Sequence, residues 1–418
     1  MPLTPPPLRN DCFSLPAGVD WTPVDEALAL LRERLKRVVS SETLSLSAAL
    51  GRVLAKDVIA KRSNPALPNT AVDGYGFAGS IAEGAHVMPL VKGRAAAGLA
   101  YEGTVPAGQA IRILTGAALP AGVETVILEE DVTLGKGEIA FRGPLKQGAN
   151  TRKAGEDFNT GEAILTAGRV ITPADLALAA AAGIDAFEVY LPLRVGVLST
   201  GDELCEVGEM AAPGQIYDAN RPMLLALLRQ MGFVPVDLGR VADDRATLRA
   251  RLDKAAFEVD VILTSGGASA GDEDHVSALL RESGALQEWR IALKPGRPLA
   301  LALWNGVPIF GLPGNPVAAL VCTLIFARPA MGQMAGANWQ EPLGFDLPAA
   351  FAKRKKTGRR EYLRARIRDG QVEVFKSEGS ARISGLSWAE GLVELGDGAL
   401  EIIPGHPVRF IPYDSFRL

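Results

Sequence analysis

From Pro192 to about residue 336 the chain repeats one unit: a short apolar run, a glycine-rich turn, then an amphipathic stretch with helical spacing. The apolar runs fall at 194–199, 234–238, 259–264 and 307–311, and helical stretches start near Asn220, Ala246, Asp274 and Pro316. Strands alternating with helices at this spacing imply right-handed crossovers, a parallel sheet and helices on both of its faces. No other pattern in the chain restricts the fold so strongly. It also restricts function, because ligands of open α/β sheets bind beyond the carboxyl ends of the strands.

The α/β stretch cannot be the whole molecule. A chain of 418 residues exceeds the size at which one hydrophobic core stops growing, about 250–300 residues. The fold class expected is α/β plus β and multidomain, in four parts. Residues 1–62 and 151–191 form a discontinuous helical or linker domain, and 63–150 a β-rich inserted domain with a mostly short-strand, tight-turn texture, as at 110–114 and 125–128. Residues 192–336 form the α/β domain with a mostly parallel sheet, and 337–418 a small β-domain with strands near 362–367, 371–375, 392–395 and 407–412. Thr22-Pro23-Val24-Asp25 reads as a helix start with Thr22 as cap, followed by Leu28, Leu31, Leu35 and Val38 as an apolar stripe. Thr172-Pro173-Ala174-Asp175 reads the same way, stopping at Gly183. The two helices are expected to pack as one layer.

The uncharged run 298–327 is long enough to span a bilayer, but Asn305-Gly306, Pro308 and Pro313-Gly314-Asn315-Pro316 interrupt it. In lipid those breaks would strand backbone polar groups, so the run is expected to be two buried strands and a buried helix. The N-terminal residues carry no basic region followed by an apolar one, and no secretory signal is expected. Net charge is −4 with 22% charged residues, which fits neither a nucleic-acid partner nor a membrane surface. Three His and three Cys stand against 48 carboxylates and 45 Gly, with no Cys or His pair at zinc spacing. Zinc and thiol redox chemistry are therefore disfavoured, and the unpaired cysteines suit a reducing cytoplasm. Chemistry here would use carboxylates, Lys, Arg, backbone amides and a hard cation such as Mg²⁺.

Three strand ends carry such groups. Ser199-Thr200-Gly201-Asp202-Glu203 ends a strand in hydroxyls, a glycine and adjacent acids. Ser265-Gly266-Gly267-Ala268-Ser269-Ala270-Gly271-Asp272-Glu273-Asp274 leads through small residues to acids at a helix start. Gly311-Leu312-Pro313-Gly314-Asn315-Pro316 offers Asn315 as a cap and Pro316 as first helical residue. Glycine turns let backbone amides approach a ligand, and a helix start favours phosphate. Carboxylates beside such a cradle would repel phosphate unless a divalent cation lay between them, so the three loops together suggest a Mg²⁺-phosphate ligand. Lys294-Pro295-Gly296-Arg297-Pro298 adds two cations as a candidate oxyanion clamp. In the insert, Asp73 lies in a turn and Thr115-Gly116-Ala117 follows a strand, while Gly155-Glu156-Asp157 comes directly after the insert. No nucleophile elbow, P-loop or dinucleotide fingerprint is present.

In this order, and together with Pro120, Asp218-Ala219-Asn220 and the Thr70–Tyr75 turn, these motifs resemble the molybdopterin molybdenumtransferases, the MoeA and gephyrin E-domain family. The resemblance covers essentially the whole chain. It implies an elongated four-domain protomer and a homodimer, whose active site lies between the α/β domain of one subunit and the β-rich insert of the other. The implied reaction is Mg²⁺-dependent insertion of molybdate into the dithiolene of adenylylated molybdopterin, with release of AMP. By the same resemblance Glu203 and Asp274 would hold Mg²⁺ and adenylate, and Ser265, Gly266, Gly267, Gly314 and Asn315 would cradle the pterin substrate. Lys294 and Arg297 would bind anionic groups, and Asp73, Thr115 and Asp157 would act on the substrate or molybdate. Gly116, Ala117, Ser199, Thr200, Gly201, Asp202, Asn220, Asp243, Ser269, Gly271, Pro295, Gly296, Pro313 and Pro316 complete the expected binding loops. Arg364 and Ser380 stand at the basic and small-polar positions of the last domain. Other molybdenum-cofactor biosynthesis proteins are implied as partners.

Three departures stand out: Val72 where the family has Met, Arg297 where it has Lys, and Ser384–Gly391 without the family's Ala-Asn-Gly ending. They keep a paralogous, tungstate-preferring role in play, beside a non-catalytic molybdopterin-binding or scaffolding protein. A nucleotide-hydrolysing relative sharing only the α/β domain is a third reading, and the insert's own motifs weigh against it. The acids Asp73, Asp157, Glu203 and Asp274 favour the enzyme.

Overall fold

A computed structural model of the protein describes residues 21–266, 275–282, 287–296, 298–379 and 381–417. The chain separates into two compact units, residues 43–189 and the remainder.

In the larger unit, Val234–Val241, Arg194–Thr200, Val261–Ser265 and Val307–Leu312 lie side by side in that order, all parallel. Pro298–Trp304 and Gln287–Arg290 extend the sheet antiparallel at one edge. The mixed edge has a local cause. Asn305 and Gly306 both take positive φ, 49° and 83°, the two-residue turn whose twist matches a hairpin, and it sets Trp304 opposite Val307. Three of the four, Arg194–Thr200, Val261–Ser265 and Val307–Leu312, are almost wholly buried because both faces are covered, while the edge strand Val234–Val241 is partly exposed. The helix Asn220–Gln230 and the run Pro316–Met334 share a core with one face, through Leu224, Leu228, Phe326 and Met331 beside Val195, Val197 and Phe310. Helices Arg245–Glu258 and His275–Glu282 cover the other, through Leu248, Leu252 and Leu279 beside Leu198, Ile262 and Ile309. The run Pro316–Met334 has the length and composition to cross a membrane, but 89% of its apolar window is buried inside the protein. The uncharged stretch is thus strand, strand and core helix, as its breakers suggest.

The helix Val24–Arg34 departs from expectation at both ends. Pro23 holds the cap position with no side-chain cap bond, because the Thr22 carbonyl accepts from the Ala292 amide at 2.8 Å in a parallel bridge. Val38 lies beyond the helix and is largely exposed. Val24, Ala27 and Leu31 join the same core as the α/β sheet. The helix Pro173–Ala181 contributes Ala179 to a core of the 43–189 unit.

A second sheet of the larger unit has the order Leu293–Lys294, Arg360–Arg368, Gly391–Leu395, Pro407–Pro412, Phe345–Pro348. Its first strand is the start of the Lys294-Pro295-Gly296 loop, with Lys294 level with Glu361.

The 43–189 unit contains a six-stranded sheet in the order Thr125–Leu128, Gly74–Phe77, Ala110–Ile113, Ile81–Ala95, Glu138–Leu145, Val132–Leu134. Phe77 stacks on Phe141, with ring centroids 5.6 Å apart, beside Tyr75, Ile127 and Ile139. Thr172 and Asp175 form a reciprocal capping box at the start of Pro173–Ala181, with Pro173 in the first turn.

Candidate functional site

Register decides which loops meet. Ser199 is level with Ser265, and Ser265 with Leu312. Thr200, Gly266 and Pro313 therefore leave the sheet at one edge, and the three glycine-rich loops all begin there. Asn220 ties two of them together. From the first turn of its helix its Nδ2 donates to Ser265 Oγ at 2.8 Å and to the Gly314 carbonyl at 2.7 Å. Backbone shape also matters. Gly266 has φ +92°, and a Cβ there would stand 2.8 Å from the Thr200 carbonyl oxygen. Gly201 has φ +145°, and a Cβ there would stand 2.5 Å from the Glu203 carboxylate folded over it. Only glycine lets the acidic loop close this tightly.

Asn315 caps the next helix by accepting from the Val317 amide at 3.2 Å, with Pro316 in the first turn. Asp202 accepts from the Asp243 amide at 3.1 Å, joining two acidic loops. Ser199 and Thr200 are buried. Among the described residues, Ser199 Oγ, Thr264 Oγ1 and Asn220 Oδ1 are buried without a hydrogen-bond partner, a state that polar atoms near a ligand edge relieve with ligand or water.

Two arginines that the motifs did not single out brace this edge. Arg221 Nη1 lies 2.9 Å from both oxygens of Asp237 and its Nε 3.2 Å from Asp218, and Nη2 bonds Glu206. Burial disfavours its charge, but its hydrogen bonds to Asp237 and Asp218 and the nearby carboxylates outweigh that and push its pKa up. Arg240 donates to the Leu204 carbonyl at 2.7 Å. The signal for Arg221 was its place directly after Asn220; nothing in the sequence marked Arg240.

Asp73 and Thr115 meet in the 43–189 unit. The Asp73 carboxylate accepts from both the hydroxyl and the amide of Thr115 at 2.6 Å, and these bonds hold its pKa below the ordinary carboxylate value. Gly116 donates to the Thr70 carbonyl, and Ala117 is buried in the turn. Asp157 is exposed, and its carboxylate accepts from Asn64 Nδ2 at 3.0 Å.

The Lys294 loop makes contacts that spacing alone did not foretell. Lys294 Nζ bonds Glu378 at 2.6 Å and lies 3.5 Å from Glu361. The Lys294–Pro295 peptide is cis, and Gly296 passes against Ala318 and Cys322. Arg364 is buried, with its guanidinium given over to the carbonyls of Ser377, Gly379 and Arg382 and its face against Phe375. It is a loop anchor in this structure, with those donors committed. Gly267, Ser269, Gly271, Asp274, Arg297 and Ser380 lie outside the described residues.

Among the described residues no three His, Cys, Asp or Glu side chains gather as a metal cage. Of the two expected Mg²⁺ ligands only Glu203 is described, with Asp202 beside it in sequence. Both are hard oxygen donors, and Mg²⁺ is usually held by one or two carboxylates plus substrate phosphate. The donor chemistry fits the ion.

Comparison with known proteins bears on the whole chain. Residues 22–183 match the model of the MoeA N-terminal region (domain I and II), 196–333 a probable molybdopterin binding domain, and 346–413 the MoeA C-terminal region (domain IV). The chain is 36% identical over 356 residues to the molybdopterin molybdenumtransferase of Haemophilus influenzae, covering 84% of this chain and 88% of that protein. It is 36% identical to molybdopterin molybdenumtransferase 2 of Mycobacterium tuberculosis, covering 87% of this chain and 93% of that protein. The crystal structure of the molybdopterin biosynthesis moeA protein from Pyrococcus horikoshii OT3 superposes with a TM-score of 0.82 at 28% identity, over 94% of this chain and 100% of that one. With matched regions at both ends and between them, and identity at this level over most of its length, the chain belongs to the molybdopterin molybdenumtransferase family, a family of transferases.

Proposed function

We propose that the protein inserts molybdate into the dithiolene of adenylylated molybdopterin, in a Mg²⁺-dependent step of molybdenum-cofactor biosynthesis that releases AMP. The observation that carries this reading is the edge built by Asn220, which draws Ser265 and Gly314 together where the Ser199–Glu203 strand end leaves the sheet, with buried oxygens that lack a partner among the described residues. Ser265, Gly266, Gly314 and Asn315, with Gly267, would cradle the pterin and its phosphates through amides and hydroxyls. Glu203, with Asp274, would hold Mg²⁺, which when bound neutralises charge on the departing phosphate. Lys294 and Arg297 would bind oxyanion. Asp73, kept ionised by Thr115, would act with Asp157 on molybdate from the insert of a second copy in a homodimer. The soft sulfur chemistry would sit on the substrate, which suits a chain whose described cysteines, Cys205 and Cys322, are both buried. A reducing cytoplasm suits those thiols.

Reconstitution with adenylylated molybdopterin, Mg²⁺ and molybdate tests the proposal. AMP release dependent on all three supports it; tight pterin binding without AMP release overturns the transferase step. Glu203→Gln should abolish the Mg²⁺-dependent release with the denaturation midpoint unchanged, and undiminished turnover would remove Glu203 from the metal site.

A further inference from the structure

Lys294 shares its carboxylates with a second lysine. Lys353 Nζ lies 3.1 Å from Glu361 and also pairs with Glu378, so two ammonium groups face two carboxylates. The carboxylates are not equivalent. Glu361 is 8% exposed and fixed by its strand, in register with Lys294. Glu378 has 46% of its side chain exposed and stands on a loop. That loop does not depend on Glu378, because Arg364 holds it through the Ser377, Gly379 and Arg382 carbonyls. A cavity of about 210 Å³ opens alongside, lined by Lys294, Pro295, Arg364, Phe375, Ser377 and Glu378.

Without Glu378 the two lysines and Glu361 would leave one uncompensated positive charge beside a cavity whose wall is part apolar, through Val317, Leu363 and Phe375. With Glu378 in place the group is neutral, and Lys294 is already engaged. A tetrahedral dianion carries twice the charge of a carboxylate and so competes for the same ammonium groups. The displaced carboxylate has water to turn into. We propose that Glu378 is a built-in counter-anion that occupies the oxyanion position of Lys294 and Lys353 and must turn away before molybdate or a similar tetrahedral oxyanion binds. Glu378 thereby sets oxyanion affinity, and Lys353 is a second oxyanion ligand. This rests on Lys294 being an oxyanion ligand of the proposed reaction.

The test is calorimetric binding of molybdate to the full chain, with no pterin and no turnover. Glu378→Gln keeps the loop's shape and Glu378→Ala removes the side chain altogether. Both should tighten molybdate binding by about tenfold, the release of one charged hydrogen bond, and the gain should vanish in a Lys294→Met background. Unchanged or weaker affinity in both Glu378 variants, with Lys294→Met still weakening binding, overturns the counter-anion proposal and leaves Lys294 as an anion ligand. If Lys294→Met changes binding in neither background, the anion role of Lys294 fails and the proposal fails with it.

Discussion

Asn220 shows how one side chain can assemble a site whose parts are far apart in sequence. It is 6% exposed, and its amide nitrogen spans Ser265 Oγ and the Gly314 carbonyl. Replacing it with Ala removes both bonds and leaves the Gly314 carbonyl and the Ser265 hydroxyl seeking other partners. A buried polar group left unsatisfied costs about 1–3 kcal/mol, so Asn220→Ala should lower unfolding free energy by about that amount in urea titrations. Its larger effect should be on pterin affinity, since two loops of the cradle lose their tie. Affinity unchanged in a folded variant would mean that the loops hold their places without it. The same scale separates what could be read beforehand from what could not. Asp73 and Thr115 were picked out separately, and their bond follows from a strand pairing that brings Gly74 opposite Ile113. Lys294 was picked out as part of a candidate oxyanion clamp, yet its partners, Glu361 on a strand of the second sheet and Glu378 on a loop beyond it, are joined to it by no local pattern.

Elements divide in the same way, by whether their cause is local. The motif Thr-Pro-x-Asp occurs twice, and the structure treats the copies differently. At Thr172 the box closes within one turn: Asp175 accepts from the Thr172 amide and hydroxyl at 2.8 Å and pairs with Arg169. At Thr22 the backbone is taken by a bridge to the Ile291 strand end, and the cap passes to Pro23. Four parallel strands were legible as apolar runs because a doubly covered sheet demands them, whereas the antiparallel edge hung on a two-residue turn. The capping box has a pH signature. Burial works to raise the Asp175 carboxyl, but Arg169 and Thr172 outweigh it, so its pKa lies below the ordinary carboxylate value. A depressed pKa in the fold means that the stabilisation is complete above the unfolded value of about 3.9 and is lost as pH falls through the folded value. Asp175→Asn should therefore cost about 1–2 kcal/mol at pH 7, and the gap to the parent should close in strong acid. A gap that stays constant down to low pH would show that the charge of Asp175 contributes nothing.

On the scale of the whole molecule, the proposed chemistry is divided between the two units of the chain. Asp73, Thr115 and Asp157 belong to the 43–189 unit; Glu203, Asn220, Ser265 and Gly314 belong to the other. If each active site takes one unit from each of two copies, disabling different units in different chains need not disable every site. A chain carrying Asp73→Asn retains a sound α/β edge, and one carrying Glu203→Gln retains a sound insert. Each alone should be inactive as a homodimer. Mixed one to one and allowed to exchange subunits, half of the dimers become hybrids, and each hybrid has one site with both lesions and one with neither. Because a two-fold dimer repeats the same site twice, the mixture should recover about a quarter of the parental AMP release. Mass measurement of differently tagged chains establishes that hybrids have formed. Recovery that grows with hybrid fraction supports a site shared between copies; hybrids that form and stay inactive place all of the essential groups of each site within one chain.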